Sequence, residues 1–325
     1  MALKADEIMD RRRLRRSLGL WRGLAIGAAV IGVLALGLTL LGRGSLSAGP
    51  QQIARVTVSG VITGDKPLLK LIDDVGKSAS VAGVVVAIDS PGGTVPGSEA
   101  LHEALRRLSA RKPTVAVVEN LAASGGYIAA MGADRIVARK TSIVGSIGVI
   151  FQFPNVTRLL DTVGVRMETV RSTPLKAAPS GLEPTSPEAL AAINDLVQHS
   201  YAWFRGLVTA RRGIEAGAPL DTVADGRVFP GEKALGLKLV DEIGSEREAI
   251  AWMERERNVA KDLPVRDWKT QGTLAELGLR SAVTGVLESL GLAAAPSAVE
   301  RLARRGDALL LDGLVALWQP SLSEK

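Results

Sequence analysis

The sequence predicts an α/β fold with a mostly parallel sheet, preceded by one N-terminal transmembrane helix. Three observations carry that expectation. Val81 to Asp89 (V-A-G-V-V-V-A-I-D) and Thr114 to Glu119 (T-V-A-V-V-E) are continuous apolar runs of the length and β-branched composition of strands buried on both faces. Helical patterns or glycine-rich corners follow each run, so strand and helix alternate as parallel βα units require. Ahead of them, Gly23 to Gly42 runs for 20 residues without a charge, about the length that crosses a ~30 Å hydrocarbon core as a helix.

The chain has 325 residues, 46% of them hydrophobic, which is enough for a large core, and aromatics make up only 3%, so Val, Ile, Leu and Ala must build it. There is no cysteine, which removes disulfides, thiol nucleophiles and cysteine-type zinc sites. The net charge of +6 is concentrated before the apolar stretch, in Lys4, Arg11, Arg12, Arg13, Arg15, Arg16 and Arg22. Residues 1–22 therefore read as a basic cytoplasmic N-terminus and residues 23–42 as the span. The positive-inside rule places the rest of the chain outside the cytoplasm. A cleaved signal peptide is the rival reading, with small residues at Ser45 to Ala48, but its apolar region is typically about 7–15 residues, shorter than this one. The basic cluster and anchor explain the high pI through contact with membrane lipid, without nucleic acid.

Residues 43–52 read as a linker. Ile53 to Ile62 alternates like a strand, and Pro67 to Val75 is helical. Val81 to Asp89 ends in Ser90-Pro91-Gly92-Gly93, expected to be a loop before a helix from Pro96 to Arg111. Such a loop either points backbone N–H groups at a ligand or is a plain βα turn. Thr114 to Glu119 leads to Ser124, and Arg135 to Ala138 leads to Gly145-Ser146-Ile147-Gly148. Pro154 to Val163 is expected as a helix and Arg166 to Val170 as a strand. The stretch Arg171 to Pro187 has four prolines and reads as a long irregular loop, holding Lys176 among Leu175, Ala177 and Ala178. Ser186 and Pro187 signal the start of a long helix to Arg212. Shorter helices are expected at Gly231 to Leu237 and Gly244 to Asn258, and residues 259–325 as a helical C-terminal extension.

Ser124, in A-A-S-G-G-Y, stands at a strand-to-helix corner where unpaired N–H groups favour developing negative charge and two glycines allow close approach. The alternative is an ordinary helix cap. His102 and His199, the only histidines, both fall inside helical patterns and do not support a Ser-His-Asp triad. No H-E-x-x-H or Walker-type loop occurs, so no metal or other cofactor is expected. A Ser–Lys pair remains, because a desolvated lysine loses its charge and can take a serine proton. Lys176 stands in the most apolar local sequence of any loop lysine.

Together S-P-G-G at Ser90 to Gly93, A-A-S-G-G-Y at Ala122 to Tyr127, G-S-I-G at Gly145 to Gly148, D-G-R-V-F at Asp225 to Phe229 and A-L-G-L-K-L-V-D-E-I-G at Ala234 to Gly244 resemble the signal peptide peptidase A (SppA) family over roughly residues 50–255. The resemblance implies a ClpP/crotonase-like fold of repeated ββα/βα units over residues 53–258 and a membrane-anchored Ser/Lys endopeptidase. It further implies Ser124 as nucleophile, Lys176 as general base, Ser146 as the serine that orients the lysine, and the backbone N–H groups of Gly93 and Gly125 as oxyanion hole. Substrates would be cleaved signal peptides and other hydrophobic peptides, met at the outer face of a bacterial inner membrane. One copy of the motif set in this chain implies a homo-oligomer with active sites between subunits. Two other readings of the fold are an acyl-CoA enzyme of crotonase type and a catalytically silent membrane scaffold.

Overall fold

Alternating burial along the first strand sets the layout. In β1 (Gln52–Ile62), Val56, Val58 and Ile62 are buried while Thr57 and Ser59 are exposed, as a period of two demands. This computed structural model describes residues 50–270, Gly27 and the backbone of residues 314–317. The chain divides after Pro50.

β1 is followed by α1 (Lys66–Lys77) and by β2 (Val81–Thr94), which runs parallel to β1. Thr94 caps α2 (Val95–Ser109), its hydroxyl accepting from Gly97 N at 3.1 Å, with Pro96 in the first turn. Next come β3 (Thr114–Ala123), α3 (Gly125–Ala130), β4 (Arg135–Ala138), β5 (Ile143–Gly145) and β6 (Ile150–Phe151). After α4 (Thr157–Thr162) and a long loop, α5 (Pro187–Arg212) starts on the Ser186 hydroxyl, which accepts from Ala189 N at 3.1 Å. α6 (Ala218–Val223), β7 (Val228–Pro230), α7 (Gly231–Gly236), β8 (Glu242–Ile243), α8 (Glu246–Glu256), β9 (Val265–Trp268) and β10 (Leu314–Leu317) complete the described elements.

These strands form one ten-stranded sheet. Its spine is parallel: β9 to β1, β1 to β2, β2 to β3, β3 to β4 and β5, and β4 to β8. Antiparallel pairing occurs where β7 meets β5 and where β10 lies between β2 and β6. The expected mixed α/β fold with mostly parallel sheet is therefore present.

Both faces of the sheet are buried, which is why its strands are continuously apolar. On one face Val84, Val86, Ile88 and Val118 meet Leu101, Leu105 and Leu108 of α2 and Ile128 of α3. The intervening Val85, Val115 and Val117 turn to the other face, against Ala249, Trp252 and Met253 of α8. Full burial of each such side chain contributes about 1.5–3 kcal/mol. The α8 start is a capping box, with Ser245 and Glu248 bonded reciprocally.

Three local expectations change. Ser90 to Gly93 is not a loop but the continuation of β2, because β1 pairs with it through Ile62 opposite Gly93 and β10 lines its other edge. Residues 166–170 form no strand; Val170 is fully exposed, and among the described residues no neighbouring strand offers them partners. The helical extension expected at 259–325 falls mostly outside the described residues, and its described parts include the strands β9 and β10. The expected span at 23–42 also lies outside them, Gly27 apart. Among the described residues, no helix is long and apolar enough to cross a membrane.

Candidate active site

The end of β3 delivers Ser124 into a corner that no ordinary cap would occupy. Its backbone has φ 52° and ψ −114°, a left-handed conformation for a non-glycine residue. Holding such a residue there costs about 1–3 kcal/mol, and it persists only when surrounding contacts over-determine it. Those contacts are present. Ser124 N donates to Gly145 O at 2.7 Å, and Ser124 O accepts from Tyr127 N and Ile128 N, both at 3.0 Å. The side chain makes no capping bond to α3, which sets aside the helix-cap reading. Instead Ser124 Oγ lies 3.5 Å from the carbonyl of Gly148, and the residue is buried.

Each motif seen in the sequence braces this corner. Tyr127 is fully buried and donates its hydroxyl to Leu239 O at 2.8 Å, with burial pushing the phenol's pKa up. Gly145, at φ 102°, lets β5 turn over the Phe229 ring, where an added Cβ would sit 3.1 Å from Cδ2. Ser146 also has a positive φ of 52°, is buried, and its N–H is held by Arg227 O at 2.8 Å. The D-G-R-V-F motif is thus explained by position: Arg227 fixes Ser146, while Val228 to Pro230 pair with β5. Arg211 and Arg212 at the end of α5 tie down the far side. Arg211 donates to the carbonyls of Met131 and Ala133, and Arg212 bridges Asp241 at 2.7 Å.

Gly93 lies near the end of β2, and Gly125 is the first residue of α3, directly after Ser124. At Gly93 a Cβ would lie 1.8 Å from Ile62 O, so nothing larger than glycine fits. Ser90 was not singled out from sequence, yet it organises this strand. Fully buried, it donates to Gly60 O at 2.6 Å and accepts from Gly92 N at 3.1 Å. Its carbonyl lies 2.7 Å from where a Cβ on Gly126 would stand. The signal available was the S-P-G-G itself, with the serine read as part of a turn.

Neither histidine reaches the corner. His102 is buried and donates from Nδ1 to Ile128 O at 2.9 Å; burial lowers its pKa, and it serves to pin α2 onto α3. His199 is exposed on α5. Among the described residues, no cluster of His, Asp or Glu has the arrangement of a metal site.

Lys176 stands apart from the corner. It is exposed at a turn in the loop before α5, its N–H bonded to Thr173 O at 3.1 Å, and no hydrogen bond joins it to Ser124 or Ser146 within the chain. The neck of the loop is well defined. Arg171 grips Glu183 with two bonds of 2.9 Å, and Thr169 adds a third at 2.6 Å. The Thr169 hydroxyl, then Arg171, hold the Glu183 carboxyl below its ordinary pKa. Gly181 fits so closely that a Cβ would lie 1.9 Å from Pro154 O.

A buried serine in a strained strand-to-helix corner, beside a glycine-lined strand of a parallel α/β sheet, is the layout of a serine hydrolase. Sequence comparison agrees and narrows the class. Peptidase family S49 matches residues 106–260. A Synechocystis protein carrying the name of a protease is 39% identical over 62% of this chain and 73% of its own. An Enterococcus faecium protein named for signal peptide peptidase SppA is 30% identical over 70% of this chain and 69% of its own. The chloroplastic serine protease SPPA of Arabidopsis thaliana is 29% identical over 76% of this chain, and this chain spans 37% of it. The chain belongs to peptidase family S49, the signal peptide peptidase SppA family, and is a serine peptidase.

Proposed function

We propose that this protein is a membrane-anchored endopeptidase with a Ser124–Lys176 dyad that degrades cleaved signal peptides and similar hydrophobic peptides. The strained, buried corner at Ser124 carries the reading, since its conformation has a cost and supplies no cap. A neutral Lys176 amine takes the Ser124 hydroxyl proton as the oxygen attacks the scissile carbonyl. Charge developing on that carbonyl oxygen is met by the N–H groups of Gly93 and Gly125. The ammonium then returns its proton to the leaving amine, and water hydrolyses the acyl-serine by the same path.

In this reading Lys176 comes from a neighbouring subunit, with Ser146 orienting it. Two observations support that arrangement: the lysine is exposed in the isolated chain, and Leu159, Val163, Met167, Val170, Leu175 and Leu182, in the same stretch of chain from α4 through the loop, are exposed as well. Apolar side chains in such number mark a surface that another chain covers. Burial by that chain would strip the ammonium of water and favour the neutral base. The apolar stretch at 23–42 would anchor the protein in a bacterial inner membrane, with residues 1–22 cytoplasmic and the peptidase domain on the outer side, where signal-peptide remnants are released.

The test is hydrolysis of a peptide library by the full chain beside its Ser124→Ala and Lys176→Ala forms, with assembly checked by light scattering. Both variants should be inactive yet assembled. Activity in either one removes that residue from the mechanism.

A further inference from the structure

α3 runs directly from the Ser124 corner, and it is too short to hold itself. Its six residues, Gly125–Ala130, rise about 9 Å, under two turns, so other groups must fix where it points. The carbonyls at its far end show which groups these are. Tyr127 O, Ala129 O and Ala130 O accept from Met131 N, Gly132 N and Ala133 N as the chain turns, and Ile128 O accepts from His102 Nδ1 at 2.9 Å. The next three carbonyls all go to arginines. Met131 O and Ala133 O accept from Nε and Nη2 of Arg211, both at 2.9 Å, and Gly132 O accepts from Arg106 at 3.3 Å.

The two arginines reach this turn from different helices, Arg106 from α2 and Arg211 from α5, and both are half-buried. Their partners are carbonyls and the Ser109 hydroxyl. Among the described residues the nearby carboxylates are taken: Glu103 by Arg107 at 3.6 Å, Asp134 by Arg257 at 3.5 Å and Asp241 by Arg212 at 2.7 Å. Burial, then the neighbouring Arg106, lowers the pKa of Arg211. Like charges set side by side in half-buried ground oppose folding. What offsets them is the negative end of α3, where cations are favoured. Joining α5 to the body does not require Arg211, because Phe204 and Val208 are buried in the core and Arg212 bridges Asp241. Its fork does what those contacts do not: it spans two carbonyls two residues apart at the end of α3.

We propose that Arg211, supported by Arg106, is a positioning residue of the peptidase: by holding the carbonyl end of α3 it sets the other end, where Ser124 and the Gly125 N–H stand. The inference rests on the reading of Ser124 as nucleophile and Gly125 as oxyanion donor for its consequence on catalysis, and on the hydrogen bonds alone for the clamp. A short helix passes a displacement at one end to the other. Such a displacement costs rate rather than substrate binding, because the oxyanion forms only on the way through the transition state.

Peptide hydrolysis by the full chain is compared with that by Arg211→Ala, Arg211→Lys and Arg205→Ala, Arg205 being the residue that joins α5 to Asp221 of α6. In Arg211→Ala kcat should fall by about 10²-fold with KM unchanged, and guanidinium ion, added far below denaturing concentrations, should restore part of it. Arg211→Lys should stay impaired, because an ammonium is a point charge and does not span both carbonyls. Arg205→Ala should keep the natural kcat. Deuterium exchange, read by mass over residues 121–134, should rise in Arg211→Ala while that of β1 and β2 stays the same. Arg106→Ala, which removes one bond to the turn, should move both readouts the same way by less, and serves if Arg211→Ala misfolds. Natural kcat in Arg211→Ala or Arg211→Lys, an equal fall in Arg205→Ala, or unchanged exchange at 121–134 overturns the proposal. Faster exchange there, in a chain whose hydrolysis survives Ser124→Ala, would uphold the clamp on α3 and sink the reading of Ser124 instead.

Discussion

The two halves of the proposed dyad sit in regions built in opposite ways. Between Gln52 and Phe151 the chain is a sheet buried on both faces, and Ser124 is fixed by bonds to Gly145, Tyr127 and Ile128. Between Phe153 and Ser186 only α4 breaks an irregular path, and apolar side chains such as Leu159 and Val163 are each 62% exposed. The strain at Ser124 is supported within one chain. Lys176 has no such support: it is exposed at its turn, and among the described residues no side-chain hydrogen bond holds it. On the proposed reading, a single subunit holds a finished nucleophile corner and an unfinished base.

The largest effects should come from the finished side. Ser124→Ala should cut kcat/KM for peptide hydrolysis by at least about 10³-fold with an unchanged melting temperature. Gly93→Ala should act through folding, because its Cβ would meet Ile62 O at 1.8 Å. A loss of about 3 kcal/mol or more is expected in denaturant titration. A variant that folds normally would show that β1 and β2 are less tightly registered than described.

On the unfinished side, effects should pass through position and assembly. Arg171→Ala removes two of the three bonds to Glu183 at the loop neck, leaving that of Thr169, and should lower kcat/KM about tenfold while the global melting temperature barely moves. Leu159→Asp should leave the monomer's stability within about 0.5 kcal/mol and shift the sedimentation profile toward smaller species. Unchanged assembly and activity would mean that this surface meets no second subunit.

Much of the finished region was legible in the sequence because its signals are local. Continuous runs of Val and Ile gave the parallel strands, and A-A-S-G-G-Y gave the corner. What was missed depends on distant partners. Ser90 to Gly93 reads as a turn until Ile62 and Ala316 are known to flank it. Residues 166–170 alternate like a strand but find no neighbour, so propensity alone does not make one. β10 lies beyond any local pattern, since its four residues pair with β2 and β6, both far away in sequence.

The smallest expected effect belongs to a helix start far from the dyad. Ser245 N–H, donating to Glu248 at 2.7 Å, is the main reason that its carboxyl is held at about 2, below the ordinary 4.5. A depressed carboxylate stabilises the fold above its unfolded value and loses that contribution as pH falls through its folded value. The difference in melting temperature between the natural chain and Glu248→Gln should therefore be full above about pH 4.5 and vanish toward about pH 2. A difference independent of pH would show that the capping carboxylate adds nothing by its charge.

The most direct measurement of the central claim is complementation. Ser124→Ala and Lys176→Ala chains, each inactive alone, are mixed under conditions where subunit exchange is demonstrated by mass, and peptide hydrolysis is followed. Recovered activity, rising with the fraction of mixed assemblies, is the result predicted if one subunit's corner is completed by its neighbour's lysine. No recovery despite proven exchange would contradict it and place both halves of the dyad within a single chain.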